Sequence, residues 1–286
     1  MTIKSYKVRF YQGLVGKKQK SVAEIFLEAS TALDANQAMP IFDLGDYAYQ
    51  LRECKSINNG AVFKGAFGKL RDDAPHIVKN GGQEKAINLD EDEHLLEKNY
   101  FLYIKAQRLL VYQVNQPGGV ASRLAQYLTA YTEGRSMVTF ADVLRPSALT
   151  KLLNGDVRSV DVAFARPKKL KDIAPATNWN KNMMGMLKGA GAGRIAVKVS
   201  TQGAGQALLG EIKESVKELL TWDETRRLKI KLTDIAEPID LIAECIHDTI
   251  EVAMDGRYPK PVSVYSSLEK ARKNQQSDID ATLGTT

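Results

Sequence analysis

The sequence predicts an α+β fold in two parts: residues 1–135 as an N-terminal domain of mixed or antiparallel sheet with helices, and residues 136–286 as a basic C-terminal α+β domain with a helical tail. Three observations predict it. Segments with period-two alternation are interleaved with segments whose apolar residues recur at helical spacing. Two pairs of strand-like runs are joined by short turns, which makes antiparallel pairing the local rule. The length, 286 residues, exceeds the usual size of one domain.

The opening YKVRFYQG alternates as a strand. Ser21 then precedes VAEIFLEASTAL, where Val22, Ile25, Phe26, Ala29 and Leu33 form one helical face. YAYQLRECKSI and AVFKGAFGKL are strand-like runs joined through Asn58-Asn59-Gly60, whose last two residues signal a hairpin turn. Residues 72–88, with Pro75, Gly81 and Gly82, read as loop. NYFLYI and LLVYQVN form a second hairpin, rich in aromatic and branched side chains. Asn115-Gln116-Pro117-Gly118-Gly119 halts the sheet, and VASRLAQYLTAYTEG resumes helical periodicity with Gly134 as its stop. SMVTFADVL opens the second part, and PSALTKLL is a short helix closed by Asn154-Gly155. VRSVDVAFA is a strand, NWNKNMMGMLKG a helix, GRIAVKVS a strand and GQALLGEIKESVKELL a helix. RRLKIKLTDI and IHDTIEVAM are further strands. The tail VYSSLEKARKNQQSDIDATL is helical in pattern but polar, so it is expected to fray or to dock on a partner.

Composition narrows the function classes. Apolar residues at 44% and charged residues at 26% are ordinary for a folded protein. No apolar run reaches the length that crosses a bilayer, and the N-terminus lacks the apolar core of a secretory signal, so a cytoplasmic location without direct membrane insertion is expected. Cys54 and Cys245 are the only cysteines, which gives no disulfide framework and no zinc pair. Cys245, His247 and Asp248 lie close in sequence, but so short a combination is weak as a ligand set, and buried thiol is the expected role of Cys245.

The acidic run LDEDEHLLE, with Asp90, Glu91, Asp92 and Glu93, has the oxygen ligands that a two-metal nuclease needs. Consecutive acids point in different directions, however, and Asp90 with Glu93 suits a helix N-terminus, where carboxylates meet free N–H groups. Gly203-Ala204-Gly205 follows a strand, but Leu208 stands where a dinucleotide fingerprint needs its third glycine. Gly189-Ala190-Gly191-Ala192-Gly193-Arg194 lacks the Lys and hydroxyl of a phosphate-binding P-loop. A helix beginning near Gly205 is expected to offer N–H groups to a phosphate oxygen. No nucleophile motif is present, so no catalytic residue, metal or cofactor is assigned.

Charge is the stronger signal. Lys151 to Ser200 holds ten basic residues against three acidic ones, a net of +7, while the whole chain carries only +6. Such a concentration favours a polyanion through phosphate contact and counterion release. Arg166, Lys168, Lys169 and Lys171 surround Pro167, and Lys181, Lys188, Arg194 and Lys198 come after them. Arg227, Lys229 and Lys231 alternate along a strand opposite Leu228, Ile230 and Leu232. These eleven residues are the candidate DNA contacts, expected on one surface. Trp179 between the clusters reads more readily as core than as a platform for an unpaired base.

The segment INLDEDEHLLEKNYFLYIKAQRLLVYQVNQPGGVASRLAQYL, residues 87–128, resembles one shared by phage-encoded and prophage-encoded proteins related to the RexA exclusion protein. More loosely, it resembles the DNA-binding subunit of the Kiwa antiphage system. The shared features are an acidic start with Glu93, a strand pair carrying Tyr100-Phe101 and Gln113-Val114-Asn115, a glycine turn, and an amphipathic helix ending in Tyr127-Leu128. Beyond it, the order of elements, the basic second half, Pro238-Ile239-Asp240-Leu241 and an Asp255-Gly256 turn are similar. The resemblance implies a cytosolic, non-enzymatic, usually dimeric DNA-binding protein of phage exclusion or antiphage defence; the charge pattern makes double-stranded DNA the expected partner, and a membrane-protein or defence-system partner encoded nearby is a further candidate. The family's DNA contacts do not transfer residue by residue, so those named above rest on charge. A metal-dependent nuclease, or an interaction subunit that binds an acidic protein, are the alternatives.

Overall fold

A computed structural model describes residues 2–73, 75–78, 80–166, 175–203, 205–222 and 224–285. The chain begins with β1 (Ile3–Leu14), α1 (Val22–Asp34), β2 (Phe42–Asp43), β3 (Ala48–Ile57) and β4 (Val62–Arg71). Next come β5 (Ile77–Val78), β6 (Glu84–Lys85), β7 (Leu95–Ile104), β8 (Leu109–Val114), α2 (Ala121–Tyr131) and β9 (Thr139–Asp142). The middle holds α3 (Pro146–Asn154), β10 (Val157–Ala165), α4 (Asn178–Gly189), β11 (Arg194–Ser200), α5 (Glu211–Leu219), β12 (Thr225–Leu232) and β13 (Ile239–Asp240). The end is β14 (His247–Asp255), β15 (Tyr258–Pro259), α6 (Pro261–Asn274) and α7 (Gln276–Leu283). Helix and strand are mixed and the pairing is antiparallel, so the α+β expectation holds.

Among the described residues, a nine-stranded sheet runs in the order β15-β14-β1-β8-β7-β4-β3-β2, with β9 also on β1. Its local causes are plain. The Ser21 side chain accepts from the Glu24 amide while the Glu24 carboxylate accepts from the Ser21 N–H at 2.7 Å, a closed capping box that starts α1. Asn58, Asn59 and Gly60 all take positive φ, the conformation that folds β3 back on β4. On one face α1 and α2 bury a core in which Phe26 lies 5.2 Å from Phe101 and 5.3 Å from Tyr103, centroid to centroid.

The other face is covered by α6 and α7. Val264, Leu268, Ala271 and Ile279 pack with Val8, Phe10, Leu102, Ile104 and Val111. The tail therefore docks on the chain's own sheet. Its few apolar residues sit on one stripe, and that stripe suffices to close the second layer. Helix α6 also shields the flank of β14: the Ala253 N–H donates to Ser263 Oγ at 2.9 Å, and Ser267 Oγ donates to the Glu251 carbonyl at 2.8 Å. Two hydroxyls thus stand where a further strand would pair.

A four-stranded sheet, β11-β10-β12-β13, forms the second body with α3, α4 and α5. Sheet topology does not divide the chain at residue 135, as the sequence suggested. β9 pairs with β1, and β14 returns to pair with β1 from Ile3↔Ala253 to Arg9↔His247. Residues 144–245 are instead inserted into the first body. The junction is two crossings side by side: Ile246 N–H donates to Val143 O at 2.7 Å, Arg145 N–H to Glu244 O at 2.9 Å, and Leu144 bridges Cys245. Val143 and Ile246 join the first body's core, while Leu144 and Cys245 join the second's. Alternation of side chains along an extended segment serves two cores at once.

The acidic run does not open a helix. Asp90 and Glu93 do exchange the expected bonds, with Glu93 N–H donating to Asp90 O at 3.0 Å and Asp90 N–H to the Glu93 carboxylate at 3.1 Å. They close one turn, after which Leu95–Ile104 is taken up by ladder pairing with β4. Strand pairing overrides the local helical signal here.

Candidate nucleic-acid interface

The four-stranded sheet has two unlike faces because its strands alternate. Val160, Val162 and Phe164 of β10 and Leu228, Ile230 and Leu232 of β12 are buried together against Met183, Met184 and Leu187 of α4 and Ile212, Val216 and Leu219 of α5. The opposite parity makes an open, polar face. β11 supplies Arg194, Ala196, Lys198 and Ser200, all exposed. β12 supplies Arg227, Lys229 and Lys231, each half-buried along its stem.

Register sets the charge pattern. Asp161 of β10 lies between Lys198 and Lys229, Ala163 between Ala196 and Arg227, and Ser159 between Ser200 and Lys231. Arg227 reaches the Asp161 carboxylate with Nε at 2.9 Å and a terminal nitrogen at 2.8 Å, and Lys229 Nζ lies 3.5 Å from Asp240 on β13. Among the described residues Arg194, Lys198 and Lys231 make no ion pair. The face is therefore a cation row with its two acids already engaged, and between the long side chains stand only small ones.

The eleven candidate contacts do not form one surface. Arg194, Lys198, Arg227, Lys229 and Lys231 are brought together. Lys181 and Lys188 are exposed on the outer side of α4, which packs on the apolar face, so the thickness of the sheet separates them from the row. Arg166 sits exposed at the end of β10, its N–H donating to Gly193 O at 2.8 Å. Lys168, Lys169 and Lys171 lie outside the described residues. Trp179 packs partly buried against the second core.

The glycine stretch also departs from expectation. Helix α5 starts at Glu211, not near Gly205, with Gly210 as its cap and with Glu211 and Glu214 in the first turn. Two carboxylates at that terminus satisfy the positive end of the helix and repel a phosphate. Cys245 is buried with Sγ donating to Leu241 O, and His247 Nδ1 lies 3.0 Å from Cys245 O. Among the described residues no three His, Cys, Asp or Glu side chains are grouped to hold a metal ion.

Sequence reasoning missed two carboxylates that shape the site. Asp161 was visible as the acid alternating through VRSVDVAFA, but its place in the cation row needs the pairing with β12. Glu218 had no local signal. Its carboxylate accepts from the Ala176 and Thr177 N–H groups at 2.6 and 3.2 Å, from Thr177 Oγ1 at 3.0 Å and from Asn180 Nδ2 at 2.7 Å. It ties the start of α4 to α5 across about forty residues of chain.

Fold and face together define an α+β architecture in which an open cationic sheet is carried on an inserted body; no described helix is long and apolar enough to cross a membrane. The chain belongs to DUF6731, a family of unknown function, whose family model matches residues 13–276. No curated protein matches the chain.

Proposed function

We propose that the chain binds double-stranded DNA without sequence preference, gripping phosphates with the open face of the four-stranded sheet. The observation that carries this reading is the row of Arg194, Lys198 and Lys231, free of ion pairs among the described residues, with Ala196, Ser159 and Asp161 between them and Asp161 already bound by Arg227. Cations on long stems over a floor of short side chains suit a phosphate backbone. None of the residues of β10, β11 and β12 on this face is aromatic, which supports a duplex over a single strand, whose bases need a ring to stack on. Contacts to phosphates carry no sequence information, hence the lack of preference.

Anisotropy titration of a mixed-sequence duplex against salt tests the reading. The expected slope of log K on log salt is roughly −3 for three phosphate contacts. Lys198→Ala and Lys231→Ala should each reduce its magnitude by about 1, whereas Lys181→Ala should leave it unchanged. Binding that ignores salt, or that weakens equally with Lys181→Ala, overturns it.

A role in phage exclusion or antiphage defence is proposed on the resemblance of residues 87–128 alone. That segment builds the first body: Phe101, Tyr127 and Leu128 are fully buried, and the Gln113 side chain accepts from the Tyr100 N–H at 3.1 Å. The cation row lies elsewhere, so phage plating on cells that carry Lys198→Ala/Lys231→Ala separates the two: a defence role through DNA requires lost protection.

A further inference from the structure

We propose that β11 pairs with β11 of a second copy of this chain, antiparallel and centred on Val197, to make one continuous sheet. Strand β11 is the outer strand of its sheet, and no described residue pairs with its free side. Which groups face outward is set by the ladder. Arg166 N–H donates to Gly193 O at 2.8 Å and Thr201 N–H to Arg158 O at 3.1 Å, so Ile195, Val197 and Val199 direct their backbone groups at β10. Arg194, Ala196, Lys198 and Ser200 direct theirs outward. The flank has no proline and no bulge against β10, and among the described residues no hydroxyl bonds it as Ser263 and Ser267 bond β14.

Outward groups restrict a twofold pairing to a few registers, and side chains choose among them. Centred on Ala196, Lys198 would face Arg194 of the second copy; centred on Lys198, the two Lys198 would meet. Both put like charges directly opposite, which disfavours pairing. Centred on Val197, Lys198 faces Ala196 of the second copy and Arg194 faces Ser200. On the helix side Val197 meets its counterpart and Ile195 meets Val199, all β-branched. Every position of β11 then has a compatible neighbour, with about eight backbone hydrogen bonds formed. The contact is self-complementary, as a twofold interface must be.

A strand pair alone buries less than the ~1,200 Å² of a stable interface, so the association is weak and grows with concentration. Its geometric product is an eight-stranded sheet about 34 Å across, near one turn of B-form duplex, with the cation rows of both copies on the same face. The pairing stands without the DNA reading, whose surface it would double.

Mild oxidation of Val197→Cys in the full chain, without DNA, should give a disulfide-linked dimer, because non-hydrogen-bonded partners bring their side chains closest. Ile195→Cys, offset from its own counterpart, should crosslink at least tenfold more slowly. Cys54 and Cys245 are buried and do not compete. Ala196→Pro removes an outward N–H while sparing the bonds to β10, so the monomer should keep its circular dichroism and lose the dimer. Light scattering of the unmodified chain should show mass rising with concentration, and Ala196→Pro should hold it at one copy. A mass fixed at one copy for the unmodified chain, or equal crosslinking through Ile195→Cys, overturns the proposal whatever the DNA titrations show.

Discussion

At Gly65 an added Cβ would stand 2.2 Å from Phe101 Cζ and 2.7 Å from the Glu53 carbonyl oxygen. The ring is locked in the first core and the carbonyl belongs to a paired strand, so neither can retreat. Gly65→Ala should cost about 1–3 kcal/mol by overpacking, read from urea unfolding. Titration offers a second check on the same packing. Burial pushes the Cys54 and Cys245 thiols up to about 12 and the Tyr100 phenol to about 12, and it raises Tyr103, Tyr127 and Tyr265 as well. In the unfolded chain these groups lose protons near pH 8.5 for thiols and about 10 for phenols. The unfolded state then binds fewer protons than the folded one, so stability falls as pH rises. Thermal unfolding should be unaffected by these groups below about pH 8 and should drop progressively from about pH 9 toward 12. Neither thiol should react with a disulfide reagent at pH 8 until the protein unfolds.

Elements were legible in the sequence wherever a local device enforces them. Ser21 with Glu24, the Asn58-Asn59-Gly60 turn and Pro146 at the start of α3 each act within a few residues, and the predicted elements formed there. Elements whose state depends on a distant partner were not legible. Glu93 closes a single turn on Asp90, but β4 claims the residues from Leu95 onward, and the polar α6 finds its apolar stripe a place only because β14 has returned to β1. The cation row obeys the same rule: Arg227, Lys229 and Lys231 were placed on one face by parity alone, whereas Arg194 and Lys198 joined them through the β10 register, and Lys181 and Lys188 were carried to the other side by α4. Leu268 is fully buried between α6 and the sheet, so Leu268→Ala should cost about 2–5 kcal/mol in denaturant unfolding. Ser263→Ala should leave the Ala253 N–H without its acceptor and speed hydrogen exchange at that amide, with little change elsewhere.

For the whole molecule, the insertion predicts how fragments behave. Residues 1–135 lack β14, α6 and α7, and with them one covering layer of the nine-stranded sheet; they should show no cooperative melt. Residues 144–245 keep their own core from Leu144 to Cys245 and should give a dispersed amide NMR spectrum alone. The reverse outcome would restore the division at residue 135. The paired crossings also limit motion. A body hung on one tether can swivel, but Val143–Arg145 and Glu244–Ile246 are stitched to each other by backbone bonds, so the inserted body is held like a door on two leaves of one hinge. A third attachment flanks the leaves, since Arg145 pairs with Asp278 of α7 at 2.7 Å and Thr282 Oγ1 donates to Leu144 O at 3.0 Å, so torque from a twisting ligand on the open face passes into the framework through α7 as well as through both leaves.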